Sequence, residues 1–102
     1  MNEYTVRWSD EAKLDLAEIY SYIANEYHEP KNAEKLTRRL ITSVSDLSFM
    51  ADSYHFYDVE PFRSKEIRYF SEGKYSIFYK IIGNTAFVIR ILNGTRDIPN
   101  LL

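Results

Sequence analysis

Two apolar runs separated by two residues limit what this chain can build: "YSIFYKII", Gly83-Asn84, then "TAFVIRIL". A two-residue break containing glycine between strand-like runs specifies a β-hairpin. Both arms are apolar on both faces. Tyr75, Ile77, Tyr79 and Ile81 alternate with Phe78 and Ile82; Phe87, Ile89 and Ile91 alternate with Val88 and Leu92. Such strands belong in the middle of a sheet covered on both sides.

Upstream, the apolar period changes. "EYTVRW" alternates and reads as a first strand, with Tyr4, Val6 and Trp8. Ser9 is placed to cap a helix, with Asp10 and Glu11 in the first turn, where the helix dipole favours acids. Ala12, Leu16, Ile19, Tyr20, Ile23 and Tyr27 recur at helical spacing, which predicts a helix over 10–28. Glu29-Pro30 stops it and starts another, since proline unseats the residue before it and suits the first helical position. Ala33, Leu36, Leu40, Val44 and Leu47 carry that second helix to Phe49 or Met50. The short break predicts antiparallel neighbours, a helical hairpin. Phe56 and Tyr57 suggest a short strand ended by Pro61, "EIRYF" suggests another, and Ser71 to Lys74 form a turn. The order of strand, helix pair and later strands predicts an α+β fold. The helical hairpin packs on one face of a mainly antiparallel sheet of three to five strands. The 102 residues make one domain without repeat or linker.

Composition excludes several function classes. Without cysteine there is no disulfide framework and no zinc–thiolate site. The start carries no basic-then-apolar leader pattern, and no apolar run approaches a membrane span of about 20 residues. A cytoplasmic location without membrane contact is therefore expected. Only two histidines occur, His28 and His55, and no helix carries metal-ligand or paired-carboxylate spacing. Three glycines and no phosphate-loop pattern leave no nucleotide cradle. Neither metal nor cofactor is expected. The net charge of −2 divides into −6 over residues 1–61 and +4 over residues 62–102. Arg63, Lys65, Arg68, Lys74, Lys80, Arg90 and Arg96 lie on or beside the predicted sheet. The aromatics between Tyr54 and Tyr79 suit either base stacking or the filling of a half-buried sheet.

Several stretches taken together resemble the RelE/ParE superfamily of bacterial toxins from type II toxin–antitoxin modules. They are "WSDEAKLDLAEIYSYIANEY", "EPKNAEKLTRRLITSVSDL", "EIRYFSEGKYSIFYKI" and "AFVIRILNGTRDIPNLL". The likeness spans nearly the whole chain except about residues 50–62. It implies a cognate antitoxin as partner, in a toxin–antitoxin hetero-oligomer. It also implies one of two mechanisms. RelE-like members cut mRNA on the ribosome, with cations around the scissile phosphate and a C-terminal tyrosine or histidine for proton transfer. ParE-like members bind and poison DNA gyrase. Where RelE-like enzymes carry a phosphate-gripping arginine after the first tyrosine of "YSIFY", this chain has Ser76. Arg96 matches a RelE-like arginine, Arg68 supplies another cation, and the terminal tyrosine position holds Leu102. With a pI near 5.7 the chain also lacks the positive charge that ribosomal RNA favours. The resemblance therefore implies a ParE-like gyrase inhibitor without catalytic residues, gripping its target through Arg68, Arg90 and Arg96. The alternatives are a ribosome-dependent mRNA endonuclease using Arg68 and Arg96, and a non-toxic binding module with the same fold.

Overall fold

The computed structural model describes residues 3–94 and 98–102. Strand β1 (Thr5–Trp8) leads into helix α1 (Asp10–Ser21), a π-helical turn (Tyr22–Glu26) and helix α2 (Pro30–Ser45), followed by the single turn α3 (Leu47–Met50). After an irregular stretch come β2 (Arg68–Glu72), β3 (Tyr75–Ile82), β4 (Thr85–Asn93) and the short α4 (Ile98–Leu101). The sheet order is β1-β4-β3-β2, with β1 parallel to β4 and the other pairs antiparallel. The doubly apolar hairpin is central, as its sequence requires. Both of its antiparallel connections are two-residue loops led by a glycine at positive φ, Gly73 at 61° and Gly83 at 60°. Glycine adopts that conformation without steric penalty, and it matches the twist of the flanking strands.

One face of the sheet carries the larger core. Tyr75, Ile77 and Tyr79 of β3 and Val88 and Ile91 of β4 pack against Ala12 of α1, Leu40 and Val44 of α2 and Leu47 of α3. The helical hairpin covers this face, and the α2 stripe Ala33, Leu40 and Val44 is buried as its spacing predicts. The opposite face is covered too, as strands apolar on both faces require: Ile67, Phe78 and Leu92 lie under Tyr57 and Phe62 of the irregular stretch and under Ile98, Leu101 and Leu102. The rings of Tyr57, Tyr69 and Phe78 pack within 6 Å of one another, centroid to centroid. The apolar tail closes the second core, and the C-terminal hairpin presents no large open face.

The first helix also departs from its expected course. The α-helical bonding gives way at Tyr22, and the π-helical turn shifts the faces that follow. Tyr27 is exposed rather than part of the core stripe, as is Tyr20. The segment ends at His28, whose φ of 53° is left-handed, with the Glu29 amide donating to the Ile23 carbonyl at 3.3 Å. That closure spans seven residues, one more than the 6→1 bond of a Schellman cap, and histidine holds the left-handed position where glycine is usual. β2 begins two residues later than "EIRYF" suggests, because Glu66 has a φ of 61° and cannot continue a strand. The expected short strand near Phe56 reduces to one bridge with Arg68.

Candidate functional site

Arg68 and Arg90 are not brought together. The register pairs Arg68 with Tyr79 and Arg90 with Phe78, and neighbouring residues of a strand point to opposite faces. Arg68 starts the outer strand β2. Its guanidinium donates to the Tyr54 carbonyl at 2.6 Å and lies 4.2 Å from the Phe56 ring centroid, a ring that it shares with Arg63 at the same distance. Arg96 lies outside the described residues.

Arg90 is engaged within the chain. β1 stops at Trp8, so β4 loses its strand neighbour beyond Val88. Side chains from the start of α1 replace it. The Ser9 hydroxyl accepts from the Ala12 amide as helix cap and donates to the Ile89 carbonyl at 2.7 Å. Ile89 is the extra residue of a β-bulge, where Val88 opposes Tyr79 while Arg90 opposes Phe78. Two residues on, the Ile91 amide donates to Asp15 Oδ2 at 3.0 Å. The same carboxylate takes a bidentate pair from Arg90, Nε to Oδ2 at 2.7 Å and Nη2 to Oδ1 at 2.9 Å. The remaining fork nitrogen, Nη1, donates to the Leu101 carbonyl at 2.7 Å. Asp15 is buried and Arg90 largely so. Its hydrogen bond to the Asp15 carboxylate raises the guanidinium pKa further above its ordinary value, so the charge is permanent. Arg90 thus ties α1, on one face of the sheet, to α4 on the other.

The sheet tyrosines are equally committed. Tyr79 is fully buried, its hydroxyl donates to the Ala51 carbonyl, and burial pushes its phenol well above the usual range. Tyr75 is buried and raised for the same reason. A phenol held neutral with its proton given to a backbone carbonyl is poorly placed to exchange protons with a substrate. Among the described residues there is no cluster of histidine and acidic groups able to hold a metal ion, and no helix is long and apolar enough to cross a membrane.

The open concave surface lies elsewhere, between the helical hairpin and the β2–β3 turn. Two adjoining clefts of about 460 and 480 Å³ share Ile23, Tyr27, Lys74 and Tyr75. The first extends to Lys35 and Arg39 on α2, the second to Glu18, Tyr22 and Asn93. Tyr22 and Tyr27 pack edge to face with centroids 5.4 Å apart. The hydrogen bond between their hydroxyls, 3.4 Å apart, raises the Tyr22 phenol. Neither Arg68 nor Arg90 lines this groove. Its one legible trace is the row Lys31, Lys35 and Arg39, four residues apart and so on one helix face. The π-helical turn that brings Tyr27 there has no pattern in the sequence.

The architecture matches chains in solved structures of toxin–antitoxin systems. The chromosomal ParDE system from P. aeruginosa superposes with a TM-score of 0.72 at 20% identity, over 89% of this chain and 96% of that one. The RelBE2 toxin–antitoxin complex from Mycobacterium tuberculosis gives 0.61 at 19% identity, over 89% and 98%. The fold is therefore that of the RelE/ParE-like toxins. A comparison with curated proteins returns no match. The family model of the ParE toxin of the type II toxin–antitoxin system parDE matches residues 6–98, and the chain belongs to that family.

Proposed function

We propose that the chain is the toxin of a type II module, that it acts by binding DNA gyrase rather than by breaking bonds, and that a cognate antitoxin neutralises it in a hetero-oligomer in the cytoplasm. Family membership supports the toxin class, and the similar solved structures are toxin–antitoxin complexes. The observation that carries the binding mechanism is the state of the groups an endonuclease would use. Arg68 and Arg90 stand on opposite faces of the sheet, and Tyr79, the register partner of Arg68, holds its proton against Ala51. Phosphodiester cleavage needs an acid–base pair beside converging cations, and the described residues do not assemble one. Arg96 remains the proposed gripping residue for the target, with Arg68 beside it in role and Arg90 committed to the framework.

The test is supercoiling by purified gyrase beside mRNA cleavage on translating ribosomes, each with this protein added. Loss of supercoiling with intact mRNA is the expected result; mRNA cleavage with unimpaired gyrase refutes the reading. Arg96→Ala should lower toxicity on induction while leaving the melting temperature unchanged. Losing a charged fork on an anion costs on the order of 2 kcal/mol, about thirtyfold in affinity. Full toxicity in a stable Arg96→Ala protein would remove Arg96 from the target contact.

A further inference from the structure

Three cations converge on the first cleft without a counter-charge of their own. Lys35 and Arg39 sit one turn apart on α2, and Lys74 faces them from the β2–β3 turn. Two contacts fix the approach. The Ser43 hydroxyl, one turn beyond Arg39, bonds Glu72 at 2.6 Å, docking α2 on the turn. A Cβ at Gly73 would stand 3.7 Å from the Arg39 guanidinium, so the arginine head lies over the turn next to Lys74. Glu72 bonds Ser43 and makes no ion pair with them, and the ion pairs among the described residues, Arg38–Glu34 and Arg90–Asp15, involve none of the three. Among the described residues Glu29 is the only acid lining this cleft, which leaves three cations against one acid there. The floor is apolar, formed by Leu36, Ile23 and the buried ring of Tyr75. The second cleft continues past Tyr27 with Ile19 and Ile91 and, among the described residues, no further cation.

We propose that this groove binds an acidic segment of a partner polypeptide: neighbouring carboxylates held by Lys35, Arg39 and Lys74, with an apolar side chain a few residues along seated in the second cleft. Free phosphate or another small anion would use the first cleft alone, and a nucleic-acid strand would meet the Glu18 carboxylate in the second. The polarity of the groove, cationic at one end and apolar with acid at the other, favours a chain of mixed character. This inference holds whichever protein supplies the segment and whether or not gyrase is the target.

The test is selection of short random peptides displayed on phage against the whole chain, followed by titration of the enriched peptides. The expected result is enrichment of sequences pairing acids with a nearby apolar residue. Such peptides should bind Lys35→Glu and Lys74→Glu proteins about tenfold more weakly each, the scale of one lost charge-assisted contact. They should also bind more weakly as salt rises. Both lysines are exposed, and thermal melting confirms that each variant is folded. Three outcomes overturn the proposal: no enrichment, enriched peptides without acids, or equal affinity for the charge-reversed proteins. Complete displacement of the peptides by millimolar inorganic phosphate would also overturn it, as the mark of a small-anion site.

Discussion

Replacing Asp15 by alanine should be among the most damaging single changes in the chain. The carboxylate is 8% exposed and serves three donors at once: Arg90 Nε, Arg90 Nη2 and the Ile91 amide. Removing it leaves a guanidinium that is 23% exposed with the Leu101 carbonyl as its remaining partner. Stranding one member of a buried pair costs about 3–5 kcal/mol, and partial exposure of Arg90 sets this case at the lower end, about 3. The Ile91 amide, facing an edge that no strand covers, adds about 1 kcal/mol as an orphaned donor. The sum, about 4 kcal/mol, is a large part of the ~5–15 kcal/mol a domain of this size has. In urea denaturation followed by circular dichroism, Asp15→Ala should lose that amount without a change in slope, and melting should fall by about 15–30 °C. Asp15→Asn keeps the shape and an acceptor for the amide and should lose about half as much. A cycle with Arg90→Ala should return a coupling of about 2 kcal/mol. If Asp15→Ala melted within a few degrees of the parent, the open edge of β4 would not depend on α1.

Three further outcomes follow from other parts of the molecule. Deleting residues 98–102 uncovers Phe78 and Leu92 and should cost about 3 kcal/mol, read by denaturation and by dye binding to the newly exposed face. His28→Gly relieves a left-handed backbone at a helix end and should raise stability by about 1 kcal/mol in the same assay. Tyr79 has a phenol pKa raised above its ordinary 10.0, so the folded state keeps a proton that the unfolded state gives up. Its contribution is complete below pH 10 and declines as pH rises from there towards the raised value; stability measured across that range should fall less steeply in Tyr79→Phe.

The fold could be read because its strongest patterns are local. Two glycine-led loops, a proline between two helical periods and doubly apolar strands each leave a short-range mark, and the structure follows them closely. What escaped reading depends on contacts distant in sequence. That β3 and β4 need cover on their far face is legible in their double apolarity, but nothing local shows that Tyr57, Phe62 and the tail return to supply it. Arg90 looked like a free cation on a strand, since its partner Asp15 lies 75 residues earlier. Tyr27 kept the helical spacing of a core residue, but the π-helical turn carries it to the rim of the groove. The groove combines side chains from α2 and from a turn 35 residues beyond Arg39, a juxtaposition that no single window of sequence contains.

The parallel pairing of β1 with β4 has a consequence for how the molecule comes into being. Among the described residues the first strand pairs with no strand but β4, over residues 85–88, and Ser9 and Asp15 find partners at Ile89 and Ile91. During synthesis the N-terminal strand emerges with no strand to pair with until almost the entire chain has been made. A helical hairpin forms from local contacts, but closing the sheet waits on the last hairpin, which makes topology of this kind slow to complete. A message cut short, or a ribosome stalled before β4 is translated, would yield no weakened version of the protein. It would yield a chain whose opening strand has no place in a sheet and whose buried carboxylate has no arginine, a direct substrate for proteolysis.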